Sequence, residues 1–450
     1  MNWAEAEMAT ADLGDERLNR RLAAVLKRLG DDPSASIPAA CRGWAEVQGA
    51  YRLLDHENVT WEAVLEPHWA CTQERMRAHP LVLCLQDTTE LDFTTQPSIE
   101  GLGPLSYAAQ HGMYAHPTLA VTPEGLPLGV LDAWLWARDA HSHGQDKRHW
   151  PIEAKESVRW LEGYERVAEL AAEMPATRLV YVADRECDIH AFLAKAQHLG
   201  HPADWLIRAT QNRRTDTAAK LWDRLATAPV LGEVSFTLPA APGRTARGVK
   251  QTLRVARLSL QPARGVAVEV TALLAYEDSP PRGEKPLVWR LLTNRVVPTL
   301  EAALELIEWY RARWTIEVFF RIWKQGCRVE ALQLSTLERL EPALALYLII
   351  AWRVQFLMVL GRTAPELPCE VVFDPAEWQA AYLVGKRQPP PAEPPPLREM
   401  IALVASFGGW LGRPHDGPPG PKALWTGLQR IRDFALTVQV MSEMHTLSSA

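Results

Sequence analysis

Two aspartates stand directly after apolar segments that predict β-strands. Asp87 follows LVLCLQ at residues 81–86, and Asp184 follows RLVYVA at residues 178–183. In α/β proteins, ligands bind at the carboxyl edge of the sheet. Two carboxylates on neighbouring strands at that edge would make an oxygen-rich site suited to Mg²⁺ or Mn²⁺. The alternative is that each Asp caps a turn or a helix, a common role for this residue.

A third candidate carboxylate, Glu317, lies in the segment IEWYRARWTIEVFFRIWKQGCRVE, residues 307–330. On a continuous helix with about 100° per residue, one face would collect a tyrosine, this carboxylate and several cations. The members of that face are Tyr310, Arg313, Glu317, Arg321, Lys324 and Arg328. A metal-binding carboxylate beside a bound polyanion would explain so many cations on one stripe. The alternative is a pair of i,i+4 salt bridges, Arg313–Glu317 and Glu317–Arg321, on an exposed face.

The elements that would position these residues predict an α/β domain. Strands are predicted at 81–86, 113–122, 126–138, 178–183, 205–210 and 287–293, and helices at 152–174 and 188–199. Residues 211–286 alternate as strands only, which indicates an inserted β subdomain. Later helices are predicted from about residue 300, at 342–352, at 397–411 and at 424–444, with a stiff linker at Pro389–Pro396. This order of strands and crossover helices is typical of a mixed sheet.

The N-terminal segment predicts helices with a basic face. Residues 15–29 place leucines on one side, and a second helix is predicted at 42–54. The opposite side of the first helix carries Arg17, Arg20, Arg21 and Arg28. From the residues alone, this is the solvated basic face of a small helical bundle.

The charge balance argues against a protein that coats nucleic acid in general. The chain has 48 Lys and Arg against 54 Asp and Glu, a formal net charge of -6, whereas such a protein should be basic overall. If the chain binds DNA, it should therefore do so through limited patches and not through a general field.

Cysteine spacing and hydropathy predict a cytoplasmic protein without a membrane partner. The six cysteines are scattered and form no Cys-x-x-Cys pair, so we expect reduced thiols and neither a zinc nor a disulfide framework. The N-terminus lacks the regions of a signal peptide, and the apolar run 342–352 is about half a bilayer span, as in a buried core helix. The polar segment with His141, His143 and His149 is interpreted as a solvated loop.

The order and spacing of the candidate residues resemble those of a known family. Tyr310-x2-Arg313-x3-Glu317-x6-Lys324 matches the Tyr-Arg-Glu-Lys signature of DDE transposases of the insertion-sequence-four family, and is most similar to cut-and-paste transposases of the Tn5 type. The DTT segment at 87–89 and DRECDIH at 184–190 resemble the first and second acidic motifs of that family. The likeness extends from GDERLNRR near the N-terminus to the GGW and ALW segments near the C-terminus, and it includes the β insertion.

The resemblance implies a fold and a domain organisation. The fold would be α/β, with a ribonuclease-H-like (retroviral-integrase-like) mixed-sheet catalytic core that carries an inserted β subdomain and is flanked by helical N- and C-terminal domains. The implied domains are a helical DNA-end-binding domain at 1–70, the catalytic core at 71–335 with its insertion at 211–286, and a helical dimerisation domain at 336–450.

The resemblance also implies a catalytic metal site. Asp87, Asp184 and Glu317 would bind two Mg²⁺ ions, for which Mn²⁺ can substitute. Ions about 4 Å apart would activate the attacking oxygen and stabilise the leaving 3′ oxygen in an in-line displacement at phosphorus.

Further residues are implied to contact DNA. Tyr310, Arg313 and Lys324 resemble the family's contacts to phosphates beside the cut, and Arg208 resembles another basic contact there. Trp289 resembles the tryptophan that accepts a flipped base while the donor end forms a hairpin; the alternative is a core tryptophan on a buried strand. The arginines of the first helix would bind the terminal inverted repeats.

The resulting hypothesis is a DNA transposase that binds terminal inverted repeats of double-stranded DNA. It would nick the end, form and open a hairpin, and transfer the strand into target DNA, acting as a homodimer in a synaptic complex. One alternative is a stand-alone nuclease on the same fold. The other is a non-catalytic DNA-binding regulator descended from a transposase, against which the intact acidic triad argues.

Overall fold

The computed structural model describes residues 2–107, 109–139, 149–238, 245–262 and 265–448, which form a mixed α/β protein. His141 and His143 fall outside the described residues. The α-helices in the described part are α1 (Trp3–Glu7), α2 (Glu16–Asp31), α3 (Ile37–Ala40), α4 (Trp44–Leu54), α5 (Trp61–Arg77), α6 (Val158–Glu173), α7 (His190–His198), α8 (Leu221–Thr227), α9 (Leu300–Ala312), α10 (Trp314–Arg321), α11 (Leu337–Thr363), α12 (Pro375–Lys386), α13 (Leu397–Phe407) and α14 (Pro421–Ser448).

The strands lie in two sheets. They are β1 (Leu81–Gln86), β2 (Thr89–Asp92), β3 (Gly103–Pro104), β4 (His111–Ala115), β5 (Thr118–Val121), β6 (Pro127–Asp132), β7 (Leu135–Trp136), β8 (Arg178–Ala183), β9 (Asp204–Arg208), β10 (Arg214–Thr215), β11 (Val230–Leu238), β12 (Arg247–Gln261), β13 (Val268–Glu277) and β14 (Val288–Thr293). Among the described residues, the large sheet has the order β10-β12-β13-β14-β9-β8-β1-β5-β6, with β11 paired to β12. The small sheet has the order β2-β4-β3, with β7 paired to β4.

The centre of the large sheet is covered on both faces, which explains the continuous apolar strands at 81–86 and 178–183. Alternate residues of β1 point to opposite sides: Leu83 and Leu85 join one buried cluster, and Val82 and Cys84 join another. Helices α5 and α11 cover the first face, and α6 and α7 cover the second. Strand β1 is parallel to β8, and β8 is parallel to β9, so the ends of these three strands meet at one edge.

Two predicted strands are each divided between the sheets. The predicted strand 113–122 is broken after Ala115, so that β4 belongs to the small sheet and β5 to the large one. The predicted strand 126–138 is likewise divided into β6 and β7. The interruptions face each other, because His116 and Trp134 exchange backbone hydrogen bonds.

The segment 211–286 differs from the prediction of strands only. It contains the helix α8, and its strands β12 and β13 extend the large sheet through β14 instead of forming a separate one. The alternating pattern identified the strands but not their partners, since strand pairing is non-local.

The long helix predicted from residue 300 is broken into three parts. Helix α9 ends at Ala312, α10 follows after a turn at Arg313, and Ile322–Gly326 forms a π-helical turn. Arg328 lies beyond the helix in the left-handed conformation, with φ of 52°. The prediction of one straight face that includes Arg328 is therefore wrong.

The N-terminal helices are tied to the core by a buried polar network. His68 of α5 is fully buried; its Nδ1 lies 2.5 Å from Glu7 Oε1, and its Nε2 accepts a hydrogen bond from the Val130 amide at 3.0 Å. Because Nε2 accepts, the neutral ring must carry its proton on Nδ1 and donate it to Glu7. Arg75 bonds the same carboxylate at 2.9 Å and 3.1 Å.

The predicted core helix at 342–352 is the centre of α11. This helix is long and apolar enough to cross a bilayer by length and hydropathy, with a mean hydropathy of 2.0, but 83% of its most apolar window is buried inside the protein. The prediction of a buried core helix is confirmed.

Candidate active site

Asp87 and Asp184 follow neighbouring parallel strands, as the sequence predicts. Gln86 at the end of β1 pairs with Ala183 at the end of β8, so both aspartates emerge at one edge of the sheet. Each also bonds its own turn: Asp87 Oδ1 accepts from the Thr88 amide at 2.9 Å, and Asp184 Oδ1 accepts from the Glu186 amide at 2.7 Å. The capping interpretation is confirmed for Asp184, which caps the 3₁₀ helix at Arg185–Cys187, and the two bonds fix one oxygen of each carboxylate.

Arg313 links the third carboxylate to the first. Its Nη1 donates to Asp87 Oδ2 at 2.8 Å, and its Nη2 donates to Glu317 Oε1 at 3.4 Å. The i,i+4 pair Arg313–Glu317 exists, and only one of its partners is buried, because the side chain of Arg313 is 12% accessible and that of Glu317 is 39% accessible.

Burial makes the charge of Asp87 unfavourable. Loss of solvent, with further repulsion from Asp184 and Glu317, raises the pKa of Asp87 to about 7, although Arg313 opposes this rise. A carboxylate in such surroundings requires a cation beside it, and Arg313 supplies one.

The donor set fits a hard divalent cation in its chemistry. Three carboxylates supply only oxygen ligands, as Mg²⁺ and Mn²⁺ prefer. Within the part of the chain that the structure describes, however, no group of three His, Cys, Asp or Glu side chains is gathered closely enough to hold one ion. The guanidinium of Arg313 lies among the carboxylates instead.

Tyr310 and Arg208 extend the site along the sheet edge. Tyr310 is 7% exposed, and burial raises its pKa while the cations Arg313 and Arg208 oppose the rise. Arg208 ends β9, which is parallel to β8, and it pairs with Leu291 of β14.

Trp289 is half-buried and packs against the edge of the hydrophobic core. Its ring is stacked on Phe236 with centroids 5.6 Å apart and an interplanar angle of 7°, and it meets Tyr310 edge-on at 5.8 Å. Phe236 was missed by sequence analysis. Strand β11 is not a neighbour of β14 in the sheet, so no local pattern could have identified this contact.

Lys324 faces acids on the other side of the site. Its Nζ lies 3.8 Å from Glu330 Oε1. Burial lowers the pKa of Lys324, and the charges of Glu330, Glu90 and Asp92 oppose that fall. Arg321 is exposed.

Asp188, like Phe236, has no role assigned from the sequence. This buried carboxylate accepts hydrogen bonds from the amides of Thr210 and Gln211 at 2.7 Å and 2.8 Å, and it pairs with Arg213. It thereby fixes the chain immediately after Arg208. Its place in the DRECD segment is the signal that could have identified it.

Trp314 also has no role assigned from the sequence. It follows Arg313 at the start of α10 and is 66% exposed.

The four N-terminal arginines line one groove. The groove lies between α2 and α4 and has a volume of about 480 Å³. Arg28 is bound by Glu46 through two bonds of 2.9 Å, and Arg17 by Asp15 at 2.9 Å, whereas Arg20 lies 3.8 Å from Glu16. Part of the predicted basic face is thus neutralised within the protein.

Helix α2 continues through Gly30 to Asp31, beyond the segment 15–29 that the sequence predicts as helical. A side chain there would collide with the ring of Trp3, so Gly30 permits close packing of α1 on α2 and does not end the helix.

Three family models match the chain. A model described as transposase DNA-binding matches residues 1–59, a transposase DDE domain matches residues 162–353, and a transposase Tn5 dimerisation domain matches residues 349–444. Among solved structures, the cryo-EM structure of a piggyBac transposase synaptic complex with hairpin DNA is similar with 9% identity and a TM-score of 0.38, covering 92% of this chain and 78% of that chain. A likeness at this level does not establish a shared fold.

Proposed function

The chain belongs to the DDE transposases of the Tn5 type, which are enzymes that bind DNA ends and cleave and transfer DNA. We propose that one site at the edge of its large sheet performs all of its phosphoryl transfers. The observation that carries the proposal is the convergence of three carboxylates from distant segments. Asp87 and Asp184 end paired parallel strands, and Arg313 bonds both Asp87 and Glu317.

The proposed core is ribonuclease-H-like. Strands β6, β5 and β1 form an antiparallel meander, and β8 and β9 continue the sheet parallel to β1. This arrangement supports the proposal because it places the acids at the carboxyl ends of the two central strands. The proposed domains remain 1–70, 71–335 with the insertion 211–286, and 336–450; α5 crosses the first of these boundaries.

Asp87, Asp184 and Glu317 would hold the divalent ions, Mg²⁺ or Mn²⁺. Such ions supply Lewis acidity at the scissile phosphate and lower the pKa of the attacking water or hydroxyl. The protein keeps the two strand-end acids rigid through their turn bonds to the Thr88 and Glu186 amides. The bond to Glu186 leaves Oδ2 of Asp184 available to a ligand, whereas Oδ2 of Asp87 accepts from Arg313.

Arg313 is proposed to exchange partners when DNA binds. Its planar guanidinium donates two parallel bonds as readily to a phosphate as to carboxylates. Before DNA binds, it neutralises Asp87 and Glu317. A scissile phosphate at the site would replace the two carboxylates as the partner of Arg313 and release them.

Tyr310, Arg208 and Trp289 would hold the transposon side of the cut. Tyr310 and Arg208 can donate to phosphate oxygens. The ring of Trp289 is backed by Phe236 on one face, so a base could stack on its other face. Lys324, held near Glu330, would contact phosphate on the opposite side of Glu317.

The reaction would proceed in four transfers at this site. A nick frees a 3′-OH, which attacks the opposite strand to form a hairpin. Water reopens the hairpin, and the 3′-OH then attacks target DNA. The arginines of α2 would bind the terminal inverted repeats, and the C-terminal helices would join two protomers so that each cuts the end bound by its partner. Such a protein would act in the cytoplasm on nucleoid DNA.

The test is cleavage of a duplex that carries the terminal repeat, taken from the DNA that flanks the coding sequence. Asp87→Asn, Asp184→Asn and Glu317→Gln should each reduce metal-dependent nicking by roughly 1,000-fold or more. Glu308→Gln and Asp216→Asn, exposed acids paired with Arg311 and Arg224, should cleave at the wild-type rate.

Joining of pre-cut ends to target DNA completes the test. Joined product from the wild type supports a transposase. Nicking without any joining would show that the enzyme is a nuclease instead. Unchanged nicking by any of the three triad variants would refute the proposed site.

A further inference from the structure

The two residues that flank Asp87 are both anchored by hydrogen bonds to buried side chains. Gln86, the last residue of β1, is fully buried, and Thr88 donates its amide to Asp87 Oδ1 at 2.9 Å. Gln86 is bonded by Tyr181 of β8, and Thr88 by His116, which lies between β4 and β5. The place of the first acid is therefore set from both sides.

The first anchor joins the ends of the two strands that carry the aspartates. The Tyr181 hydroxyl donates to Gln86 Oε1 and lies 3.1 Å from the carbonyl oxygen of Trp160 on α6. On the other side, Gln86 Nε2 donates to Thr118 Oγ1 of β5 at 3.0 Å. Tyr181 precedes Asp184 by three residues in the same strand end. Strand β1 therefore cannot shift along β8 without breaking these bonds.

Helix α6 leaves the Gln86 amide no room for another arrangement. A Cβ atom at Gly163 would lie 1.9 Å from Gln86 Nε2, so the backbone of the helix passes directly against the amide. Gln86, Thr118 and Tyr181 are each at most 1% exposed. A buried polar group that loses its partner is costly, and a satisfied buried network is rigid. The first anchor is therefore held in one geometry.

The second anchor holds the turn that follows the first acid. His116 Nδ1 lies 2.7 Å from Thr88 Oγ1, and the backbone of His116 exchanges hydrogen bonds with Trp134. The imidazole is buried and meets the ring of Trp160 edge-on at 4.5 Å. Burial, with the charge of Arg159, lowers the pKa of His116 to about 3, so the ring is neutral near pH 7. What His116 contributes to the site is therefore geometry and not charge.

Anchors of this kind control how well a metal site binds its ion. Groups that hydrogen-bond around a metal ligand orient it, and their loss typically weakens metal affinity or activity by roughly 10-fold to 100-fold. Asp87 needs this support because its Oδ2 accepts from Arg313 at 2.8 Å. When Arg313 moves to a phosphate, that bond no longer holds the carboxylate, and the anchors remain.

We propose that Tyr181 and His116 are positioning residues for the divalent ions. Through the two neighbours of Asp87, they keep that carboxylate at a fixed distance and orientation beside Asp184. Both act through other residues and not by direct contact with an ion. This inference rests on the proposed function, because it requires these acids to bind the ions.

The test measures Mn²⁺ binding by the full-length protein with electron paramagnetic resonance. The protein is bound to a pre-cut terminal-repeat duplex that ends in a dideoxynucleotide, so no transfer can follow. Tyr181→Phe removes one hydroxyl and should raise the apparent Kd for Mn²⁺ by roughly 10-fold to 100-fold. An unchanged Kd would overturn the role of Tyr181.

Tyr164→Phe is the matched control for the loss of a buried hydroxyl. Tyr164 of α6 is fully buried, and its hydroxyl donates to the carbonyl oxygen of Ala203 at 2.9 Å. Ala203 precedes β9, at the edge of the sheet opposite to the acids. Urea unfolding should show similar losses of stability for Tyr164→Phe and Tyr181→Phe, but Tyr164→Phe should bind Mn²⁺ as wild type does. Equal weakening of Mn²⁺ binding by both variants would overturn the proposal.

Two substitutions at Thr88 test the second anchor. Thr88→Val keeps the shape of the side chain and the amide bond to Asp87 but removes the hydroxyl that meets His116, so it should also raise the apparent Kd for Mn²⁺. Thr88→Ser keeps the hydroxyl and should restore the affinity of wild type. If Thr88→Ser bound Mn²⁺ as weakly as Thr88→Val, the role of His116 would be refuted.

Nicking of an intact duplex at several Mn²⁺ concentrations separates positioning from a general defect. For Tyr181→Phe, the half-saturating Mn²⁺ concentration should rise while the rate at saturation stays close to that of wild type. A lower rate at saturation with an unchanged half-saturating concentration would overturn the proposal. Mn²⁺ binding by wild type that neither anchor affects would refute only this inference. Absence of Mn²⁺ binding by wild type would refute the proposed metal site, and this inference with it.

Discussion

Arg313 Nη1 lies 2.8 Å from Asp87 Oδ2 although the two residues are 226 positions apart. This ion pair joins the turn between α9 and α10 to the end of β1. Because the same guanidinium also bonds Glu317, one cation organises two of the three carboxylates. The acidic site is therefore built around an arginine before any ligand binds.

Arg313→Gln should destabilise the protein and impair cleavage. It leaves the buried Asp87 carboxylate without its cation, a change that typically costs about 3 kcal/mol. Since the pKa of Asp87 is already about 7 and removal of Arg313 raises it further, protonation should relieve the loss at low pH. Urea unfolding should show a larger deficit at pH 8 than at pH 6. An equal deficit at both values would contradict a charged Asp87–Arg313 pair.

Phe236→Ala should impair hairpin formation selectively. Loss of the stacked pair removes the support behind Trp289, and such pairs contribute about 1 kcal/mol. We expect hairpin product to form roughly fivefold more slowly, with the first nick almost unchanged. Tyr276→Ala, another half-exposed aromatic on β13, is the control. If the first nick slowed as much as hairpin formation, Phe236 would have a more general role.

Arg21→Ala should weaken binding to the terminal repeat. Arg21 lines the α2–α4 groove, and loss of one phosphate contact reduces the salt slope of binding by about 1. Affinity titrations over a range of salt concentrations measure both effects. Arg166→Ala, at a half-buried arginine paired with Glu169 on α6, should leave both the affinity and the slope unchanged.

Glu341→Gln should stabilise the protein at alkaline pH. Burial, with repulsion from Glu62 and Glu338, raises the pKa of Glu341 from 4.5 to about 7. The folded state then binds more protons than the unfolded state between these values, so stability falls as pH rises from 4.5 to 7. The variant should have a higher melting temperature than wild type at pH 8 and little difference at pH 4.5. A larger gain in melting temperature at pH 4.5 than at pH 8 would contradict the raised pKa of Glu341.

The strand-end acids could be predicted because their signal is local. An apolar run followed by Asp predicts both the strand and the edge at which Asp87 and Asp184 lie. The residues that act across the fold could not be found in this way. Spacing predicts the Arg313–Glu317 pair but not the Arg313–Asp87 bond, and it gives no partner for Phe236.

The division of two predicted strands between the two sheets also could not be predicted, because it depends on pairing between distant segments. Alternation identifies residues 113–122 as extended, but it does not reveal that β4 and β5 pair with different sheets. That exchange brings His116 to Thr88, so the second anchor of Asp87 had no signature in the sequence. The buried His68–Glu7 pair likewise joins segments that no local pattern connects.

The central claim is that Asp87, Asp184 and Glu317 bind the ions of one catalytic site, and Asp184→Cys tests it most directly. A thiolate ligand disfavours Mg²⁺ and accepts softer ions such as Mn²⁺ more readily. Nicking by Asp184→Cys should fall by roughly 1,000-fold in Mg²⁺ and recover by about tenfold or more in Mn²⁺, while Asp216→Cys behaves as wild type in both. Wild-type nicking by Asp184→Cys in Mg²⁺, or an equal loss in both metals, would contradict the claim.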